Sequence, residues 1–191
     1  MLKKKVRKIE TSEKLMIHLR ASSLFMIFVL FSGPAAANLE LVDSYVPNAE
    51  LAGEARMRVL VWNVFDAELY APEGEYDPSS PFALSLSYLR EFTSEQIVAR
   101  SMSEIEKQGP LDPTTRELWR GELAQLIPDV EPGMTIVGIR DATGRAHFYL
   151  GQEKLGTVED PRFSGRFFNI WLGAETSNPA FQRAIFAEQD L

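Results

Sequence analysis

Two arginines are the side chains in this 191-residue sequence best suited to recognising a ligand. Arg58 lies within an apolar run, residues 56–70, and Arg100 lies beside Ile97 on a predicted helix. A guanidinium at the rim of an apolar cavity binds a carboxylate or phenolate through two parallel hydrogen bonds. The alternative is an exposed arginine that pairs with an acid one helical turn away, such as Glu104. Both interpretations stay open from the sequence.

The sequence has few of the residues that usually carry out catalysis or bind metals. The sequence has no cysteine, and His18 and His147 are its only histidines. We interpret His147 as a surface position on a hairpin strand. The many acidic residues near turns and helix starts are expected to cap helices, and the sequence motifs of serine hydrolases, zinc proteases and nucleotide-binding loops are absent. The sequence therefore predicts no catalytic residue, no metal ligand and no cofactor.

The first 37 residues have the pattern of a secretory signal peptide. Residues 1–20 carry seven basic and two acidic side chains, an apolar stretch follows at residues 24–31, and small residues end at Ala37. The apolar stretch is far shorter than the ~20 residues of a membrane span. We predict cleavage after Ala37, which leaves residues 38–191 as one exported domain, periplasmic if the source is a Gram-negative bacterium. No stable membrane insertion is expected after cleavage.

The charge of the predicted mature chain restricts its partners. Removing seven basic and two acidic residues from totals of 20 and 27 leaves a net charge of −12. So acidic a surface repels the phosphates of nucleic acids and of anionic lipid headgroups. Neither nucleic acid nor a membrane surface is therefore an expected partner.

The run at residues 56–70 predicts a strand that is apolar on more than one face. Side chains of a strand alternate between its two faces; one face here is apolar except at Asn63, and the other carries Leu60, Trp62 and Val64 between charged ends. A strand with one solvated face alternates more cleanly, so helices or a ligand should cover the second face. The run is too long for one straight strand, which predicts a bulge or bend near Asn63.

The rest of the chain predicts an α+β domain with a mainly antiparallel sheet. Further strands are expected at residues 39–42, 82–89, 134–139, 145–150 and 154–158. Four helices are expected after capping signals, and the second should bury Leu118 among other side chains. These signals are Thr93 with Gln96, Asp112-Pro113, Asp160-Pro161 and Asn178-Pro179. Because strands and helices come in runs, the pattern favours α+β over an alternating fold.

Several segments together resemble the chalcone isomerase-like family, specifically its bacterial exported branch. The best-matching segments are GEARMRVLVWNVFDAELYAP at residues 53–72, IPDV at 127–130 and FFNIWLG at 167–173. The resemblance implies an open-faced β-sandwich, in which an antiparallel sheet with helices packed on one side encloses an apolar cleft. Plant members of the family close a chalcone to a flavanone, and other members bind fatty acids.

The resemblance does not extend to the plant enzymes' catalytic side chains. Their strand threonine falls at Leu60, and on the helix their tyrosine falls at Ile97, their lysine at Arg100 and their asparagine at Glu104; a later threonine falls at Ile170. The hydroxyls that would orient a reactive oxygen are lost, and only a cation remains. The resemblance therefore implies a non-catalytic protein that binds a small hydrophobic ligand, fatty-acid-like or aromatic.

Two alternatives remain beside that hypothesis. One is an intramolecular lyase acting on a chalcone-like unsaturated ketone, and the other is an interaction module whose cleft is filled by its own side chains, Trp62, Trp119 and Trp171 among them. The residues predicted to bind the ligand are Arg58, Leu60, Trp62, Ile97, Arg100, Glu104 and Ile170.

Overall fold

A computed structural model describes residues 34–187 of the chain. Most of the predicted signal peptide, residues 1–33, lies outside the described residues, so the leader and its cleavage stay predictions. The described part contains one six-stranded sheet and five helices. In chain order these are α1 (Pro34–Asp43), β1 (Ala49–Val59), β2 (Trp62–Pro72), β3 (Phe82–Tyr88), α2 (Ser94–Lys107), α3 (Pro113–Leu126), β4 (Thr135–Arg140), β5 (Ala146–Leu150), β6 (Glu153–Val158), α4 (Pro161–Leu172) and α5 (Pro179–Ile185).

The sheet is antiparallel throughout, and its strands lie side by side in sequence order. The link from β3 to β4 contains α2 and α3, and α4 and α5 follow β6. The predicted α+β class and antiparallel sheet are confirmed. The main hydrophobic core joins one sheet face to α2, α3, α4 and α5; its members include Leu69, Leu84, Ile105, Trp119, Phe148, Phe163 and Ile185.

Three of the predicted helix starts are fixed by the caps that the sequence indicated. Thr93 accepts a hydrogen bond from the Gln96 amide, and the Gln96 side chain accepts one from the Thr93 amide, which is a capping box. Asp112 and Asp160 each accept a backbone N–H at the start of α3 and α4. Asn178 makes no side-chain capping bond at the start of α5. The helices therefore begin where the sequence predicts them.

The run predicted as one long strand is a hairpin. β1 pairs with β2 in a register that includes Met57 with Phe65 and Val59 with Trp62, so the chain reverses at residues 60–61. Leu60 has φ 55°, a left-handed conformation that glycine and asparagine adopt readily and leucine rarely does. The register shifts between the pairs Met57 with Phe65 and Arg58 with Asn63, which leaves Val64 as an extra residue, so the predicted bulge near Asn63 is confirmed. The prediction of one strand was wrong because the turn at residues 60–61 lacks the residues that signal one.

The N-terminal end of the domain covers the outer face of the sheet. The predicted strand at residues 39–42 was wrong, since these residues belong to α1. The alanine, leucine and glutamate of this segment favour a helix. Val42 and Val46 are fully buried in a second core cluster with Tyr70, Ala83, Val137, Ile139 and Tyr149. The sequence did not decide whether protein or a ligand covers the second face of the sheet. The segment that contains Val42 and Val46 covers this part of it.

Two burial predictions also failed. Leu118 is 56% exposed, although Trp119 and Leu123, predicted on the same inner face of α3, are buried. His147 is buried, its ring 4.6 Å from the ring of Tyr45. Strand alternation placed His147 correctly on the outer face, but it carried no information about the segment after α1 that covers this face.

Gly53 lets α5 lie directly against β1, and replacing it with alanine is expected to destabilise the protein. A Cβ atom there would overlap the backbone carbonyl of Ile185, which cannot move aside as a flexible side chain can. We expect Gly53→Ala to lower the free energy of unfolding by about 2 kcal/mol, measured by urea denaturation. Gly121→Ala is the control, because its Cβ would meet open space in α3 and should stabilise. An equal stability of both variants would contradict the close packing of α5.

Candidate functional site

The protein's side chains leave a cavity of about 500 Å³ beneath the β1–β2 hairpin, called here the main cavity. It lies between that hairpin, α2 and α4, and its volume is within the range of roughly 300–1,000 Å³ typical of small-molecule sites. Most of its wall is apolar, with contributions from Met57, Val64, Phe65, Phe92, Ile170 and Trp171. The space between sheet and helices is therefore suited to an apolar ligand.

Five of the seven sequence-predicted ligand residues line the main cavity: Trp62, Ile97, Arg100, Glu104 and Ile170. Leu60 and Arg58 do not. Leu60 is 91% exposed at the tip of the hairpin, and the Arg58 Nε donates to the Asn63 Oδ1 at 3.1 Å across the hairpin. Arg58 was selected by treating the run as one strand, and Leu60 by its match to the strand threonine of the resembled family. The reversal at residues 60–61 places both outside the cavity lining.

The cleft is not filled by tryptophans, contrary to one alternative from the sequence. Trp119 packs against Phe163, with ring centroids 5.5 Å apart, away from the main cavity. Trp62 and Trp171 line the main cavity without closing it.

Arg100 is held in an ion pair. Its Nη2 lies 2.7 Å from Oε1 of Glu104, one turn further along α2. Glu104 is only 4% exposed and also accepts hydrogen bonds from the Lys107 Nζ at 2.8 Å and the Ser177 Oγ at 2.6 Å. Burial acts to raise the pKa of Glu104, but the hydrogen bonds from Lys107 and Ser177 and the nearby positive charges outweigh it and lower this pKa. The paired alternative considered for Arg100 is the one observed.

Arg90 is a cation at the cavity that the sequence analysis missed. Its Cζ lies 4.4 Å from the ring centroid of Trp62, a cation–π contact, and its side chain lines the main cavity. Within residues 34–187 it makes no hydrogen bond or ion pair. Arg90 lies at the cavity because the β1–β2 hairpin places Trp62 next to the end of β3. No local sequence pattern indicated this contact. Arg90 is the guanidinium best placed to meet an anionic group.

Tyr88 adds a hydroxyl group to the wall. It is 6% exposed and lines the main cavity beside Ile97 and Ser101. A tyrosine hydroxyl is protonated at neutral pH and can donate a hydrogen bond, and burial raises the pKa of Tyr88 further, to about 12. The sequence predicted Tyr88 within a strand but assigned it no role at the site.

An inner recess of about 40 Å³ adjoins the main cavity between the sheet and α4. Tyr88, Ile97, Ser101 and Trp171 line both spaces. The remaining wall of the recess is mostly apolar, with Leu84, Leu86, Ile136, Phe148 and Phe167. Small changes at Ile97 should therefore alter how deep a ligand can reach.

Residues 34–187 hold no group of three or more His, Cys, Asp or Glu side chains placed to bind a metal ion. In that same part of the chain, each helix is too short or too polar to cross a membrane.

Comparison with known proteins establishes the fold. No family model matches the sequence, and no curated protein sequence matches it. Among solved structures, the chain is similar to the crystal structure of a fatty-acid binding protein from Arabidopsis thaliana, with a TM-score of 0.59 and 11% sequence identity. The alignment covers 75% of this chain and 88% of that one. The predicted chalcone isomerase-like fold is thus confirmed, and identity this low shows the fold alone.

Proposed function

We propose that this chain is an exported, non-catalytic protein of the chalcone isomerase-like type that binds a fatty acid or similar small hydrophobic ligand in the main cavity. The observation that carries the proposal is the cavity of about 500 Å³, with largely apolar walls, next to a tightly packed core. Moving apolar surface from water into such a space yields about 25 cal/mol per Å². The similarity in fold to a fatty-acid binding protein supports the same ligand class.

The polar groups on the wall favour a ligand with an acidic end. Arg90 has no carboxylate partner within the described residues, so it can pair with the carboxylate of a ligand. Tyr88 keeps its proton and can donate a second hydrogen bond. The apolar tail would then lie along Phe65, Ile97 and Ile170.

Displacement of a fluorescent fatty acid from the purified protein tests the proposal. We expect saturable one-to-one binding, displacement by palmitate, and at least tenfold weaker displacement by the matching fatty alcohol, which lacks the charge for Arg90. Native mass spectrometry should show the bound fatty acid as an added mass. Absence of binding and of any thermal shift with fatty acids of every chain length tested would overturn the proposal.

A second candidate is an intramolecular lyase acting on a chalcone-like unsaturated ketone. One observation favours it: a neutral hydroxyl, Tyr88, and a cation, Arg90, line the same cavity. A donor and a cation could stabilise the oxygen on which negative charge develops. Ring closure of a hydroxychalcone would be followed by absorbance, and a rate no faster than the spontaneous one would exclude this candidate.

Glu104→Gln is expected to strengthen fatty-acid binding while weakening the fold. The change removes the charge that holds Arg100 and Lys107, so Arg100 becomes available to an anion at the cavity. We expect affinity for palmitate to rise by about threefold to tenfold, up to about 1.4 kcal/mol, and stability to fall by about 1 kcal/mol. The displacement titration and urea denaturation measure the two effects.

The matched control for this change is Glu106→Gln on the same helix. Glu106 pairs with Arg116 of α3 and does not line the main cavity. Its loss should leave palmitate affinity unchanged. Equal affinities for the two variants would show that the charge of Glu104 has no influence on the ligand.

A further inference from the structure

The tip of the β1–β2 hairpin, residues 59–62, exposes an uninterrupted apolar run. Val59 is 52% exposed, Leu60 91%, Val61 85% and Trp62 54%. Hairpin turns are ordinarily built from glycine, asparagine, aspartate and other polar residues. Four adjacent exposed apolar side chains at a turn therefore need an explanation outside the core.

The local backbone does not explain Leu60. With φ 55°, the position would suit asparagine, aspartate or glycine better than leucine. Its exposed side chain contributes almost nothing to the core. A residue with an unfavourable backbone conformation and no compensating packing in the core commonly marks a functional site. The exposed side chain of Leu60 is therefore available for a contact beyond the described residues.

The shape of the hairpin tip suits a bilayer better than a protein surface. Pairing of β2 with β3 ends at Phe65 with Tyr88, followed by one bond from the Leu89 amide to the Val64 carbonyl, so the tip projects beyond the neighbouring strand. A stable protein interface buries at least about 1,000 Å², more than four residues at a turn supply. Apolar side chains set into the boundary between headgroups and acyl chains bind membranes in proportion to the area they bury.

The hairpin tip is also continuous with the main cavity. Val59 and Trp62 belong to the tip and line the cavity as well. Arg58 and Arg90 flank the base of the tip, where their guanidinium groups would lie at the level of lipid phosphates when the tip is inserted. Glu91 follows Arg90 and is exposed, which limits the electrostatic attraction. Apolar contact is therefore the main source of binding.

We propose that the hairpin tip docks on a lipid bilayer, with Leu60 and Val61 inserted below the headgroups and the mouth of the main cavity at the membrane surface. A lipid-like ligand could then move between bilayer and cavity without crossing bulk water. That transfer step rests on the proposed ligand binding, whereas docking does not. The full sequence has a net charge of −7, and the predicted mature chain is more acidic still, so the surface as a whole should repel anionic lipids. Docking is therefore confined to the tip and does not require anionic lipid.

Vesicle binding of the full chain tests the docking surface, with Trp62 as the local reporter. Trp119 and Trp171 are buried, so a change in emission on adding vesicles reports mainly on Trp62, and Trp62→Phe identifies its share. With vesicles of phosphatidylcholine, and with equal parts of phosphatidylcholine and phosphatidylglycerol, we expect a blue shift and quenching by lipids brominated near the headgroup. The apolar segment at residues 24–31 is common to all variants.

The double variant Leu60→Asp, Val61→Asp should lower vesicle partitioning at least tenfold and abolish the Trp62 signal. Its fold should persist because both positions are exposed and aspartate accepts a positive φ. Leu118→Asp is the control, since Leu118 is 56% exposed on α3, outside the tip and cavity, and should bind vesicles normally.

Three results would overturn the docking proposal: no vesicle binding by the parent chain, binding without a change at Trp62, or equal losses in the tip variant and Leu118→Asp. Fatty-acid displacement without vesicles should be unchanged in the tip variant, because neither residue lines the main cavity. This second measurement separates failure of docking from failure of the proposed ligand binding.

Discussion

Ile97→Trp is expected to abolish fatty-acid binding while the protein keeps its fold. Ile97 faces the main cavity from α2 and also lines the inner recess. An indole ring at this position would occupy space that the ligand's tail needs, and tryptophan is acceptable within a helix. We expect the dissociation constant for palmitate to rise at least about a hundredfold, or about 2.7 kcal/mol.

The displacement titration measures this loss, and circular dichroism with urea denaturation reports the fold. Leu118→Trp adds the same ring at an exposed position of α3 and should bind palmitate like the parent chain. Ile97→Ala should have the opposite effect, because it widens the passage between cavity and recess and should favour longer chains. Unchanged palmitate affinity in Ile97→Trp, with the fold intact, would place the ligand elsewhere.

The elements that the sequence predicted well depend on local signals. A capping side chain lies within four residues of the amide it binds, so Thr93, Asp112 and Asp160 could be recognised without knowledge of the tertiary structure. Strands β4, β5 and β6 were likewise predicted to within one residue at each end, since turn sequences containing Gly144 and Gly151 separate them.

The errors occurred where tertiary packing overrides local pattern. The turn at Leu60 adopts a positive φ without a residue that signals one, so the hairpin was predicted as a single strand. The burial of His147 depends on Tyr45, more than 100 residues earlier in the chain. The helical conformation of residues 39–42 is stabilised by the outer sheet face on which Val42 packs. Neither Tyr45 nor the outer sheet face is close in sequence to the residues that it packs against.

The candidate site was predicted in part for a simple geometric reason. Ile97, Arg100 and Glu104 share one face of α2 because they are spaced at helical intervals, and the resemblance pointed to that face and to Ile170. Arg90 and Tyr88 were missed because their exposure to the cavity depends on where the β1–β2 hairpin crosses the end of β3. Sequence periodicity predicts which side chains share a face, but not which faces meet.

Asp141 organises the outer face of the sheet through an unusually complete set of hydrogen bonds. It is 6% exposed in the turn between β4 and β5. It accepts hydrogen bonds from the Thr143 and Arg145 amides, the Thr143 hydroxyl and the Arg145 Nε, at 2.7–3.0 Å. The buried His147 ring lies 2.8 Å away through Nε2, and its Nδ1 contacts Thr157. Removing the carboxylate would leave the buried His147 ring without this partner and would release the Thr143 and Arg145 groups that shape the turn.

Asp141→Ala is therefore expected to lower the free energy of unfolding by about 3 kcal/mol at neutral pH, because it removes a buried acceptor of several hydrogen bonds and leaves the buried His147 ring without one partner. Urea denaturation measures the loss. Glu159→Ala is the control, because exposed Glu159 contacts the same Arg145 at 3.6 Å and should change stability by less than about 0.5 kcal/mol. Comparable losses in the two variants would show that burial of the Asp141 network contributes nothing.

The pH dependence of stability provides an independent check on Asp141. Burial acts to raise its pKa, but hydrogen bonds from His147, Thr143 and Arg145 outweigh burial and hold the pKa of the folded state well below its ordinary value. A carboxyl whose pKa is lowered by folding stabilises fully above its unfolded pKa of about 3.9, and this contribution is lost as pH falls through the folded pKa. As the pH is lowered from about 4 to the lowest pH at which the protein is still folded, the free energy of unfolding of the parent chain should fall more steeply than that of Asp141→Ala. Parallel curves would mean that the carboxylate has the same proton affinity in the folded and unfolded chains, which the network of hydrogen bonds around Asp141 contradicts.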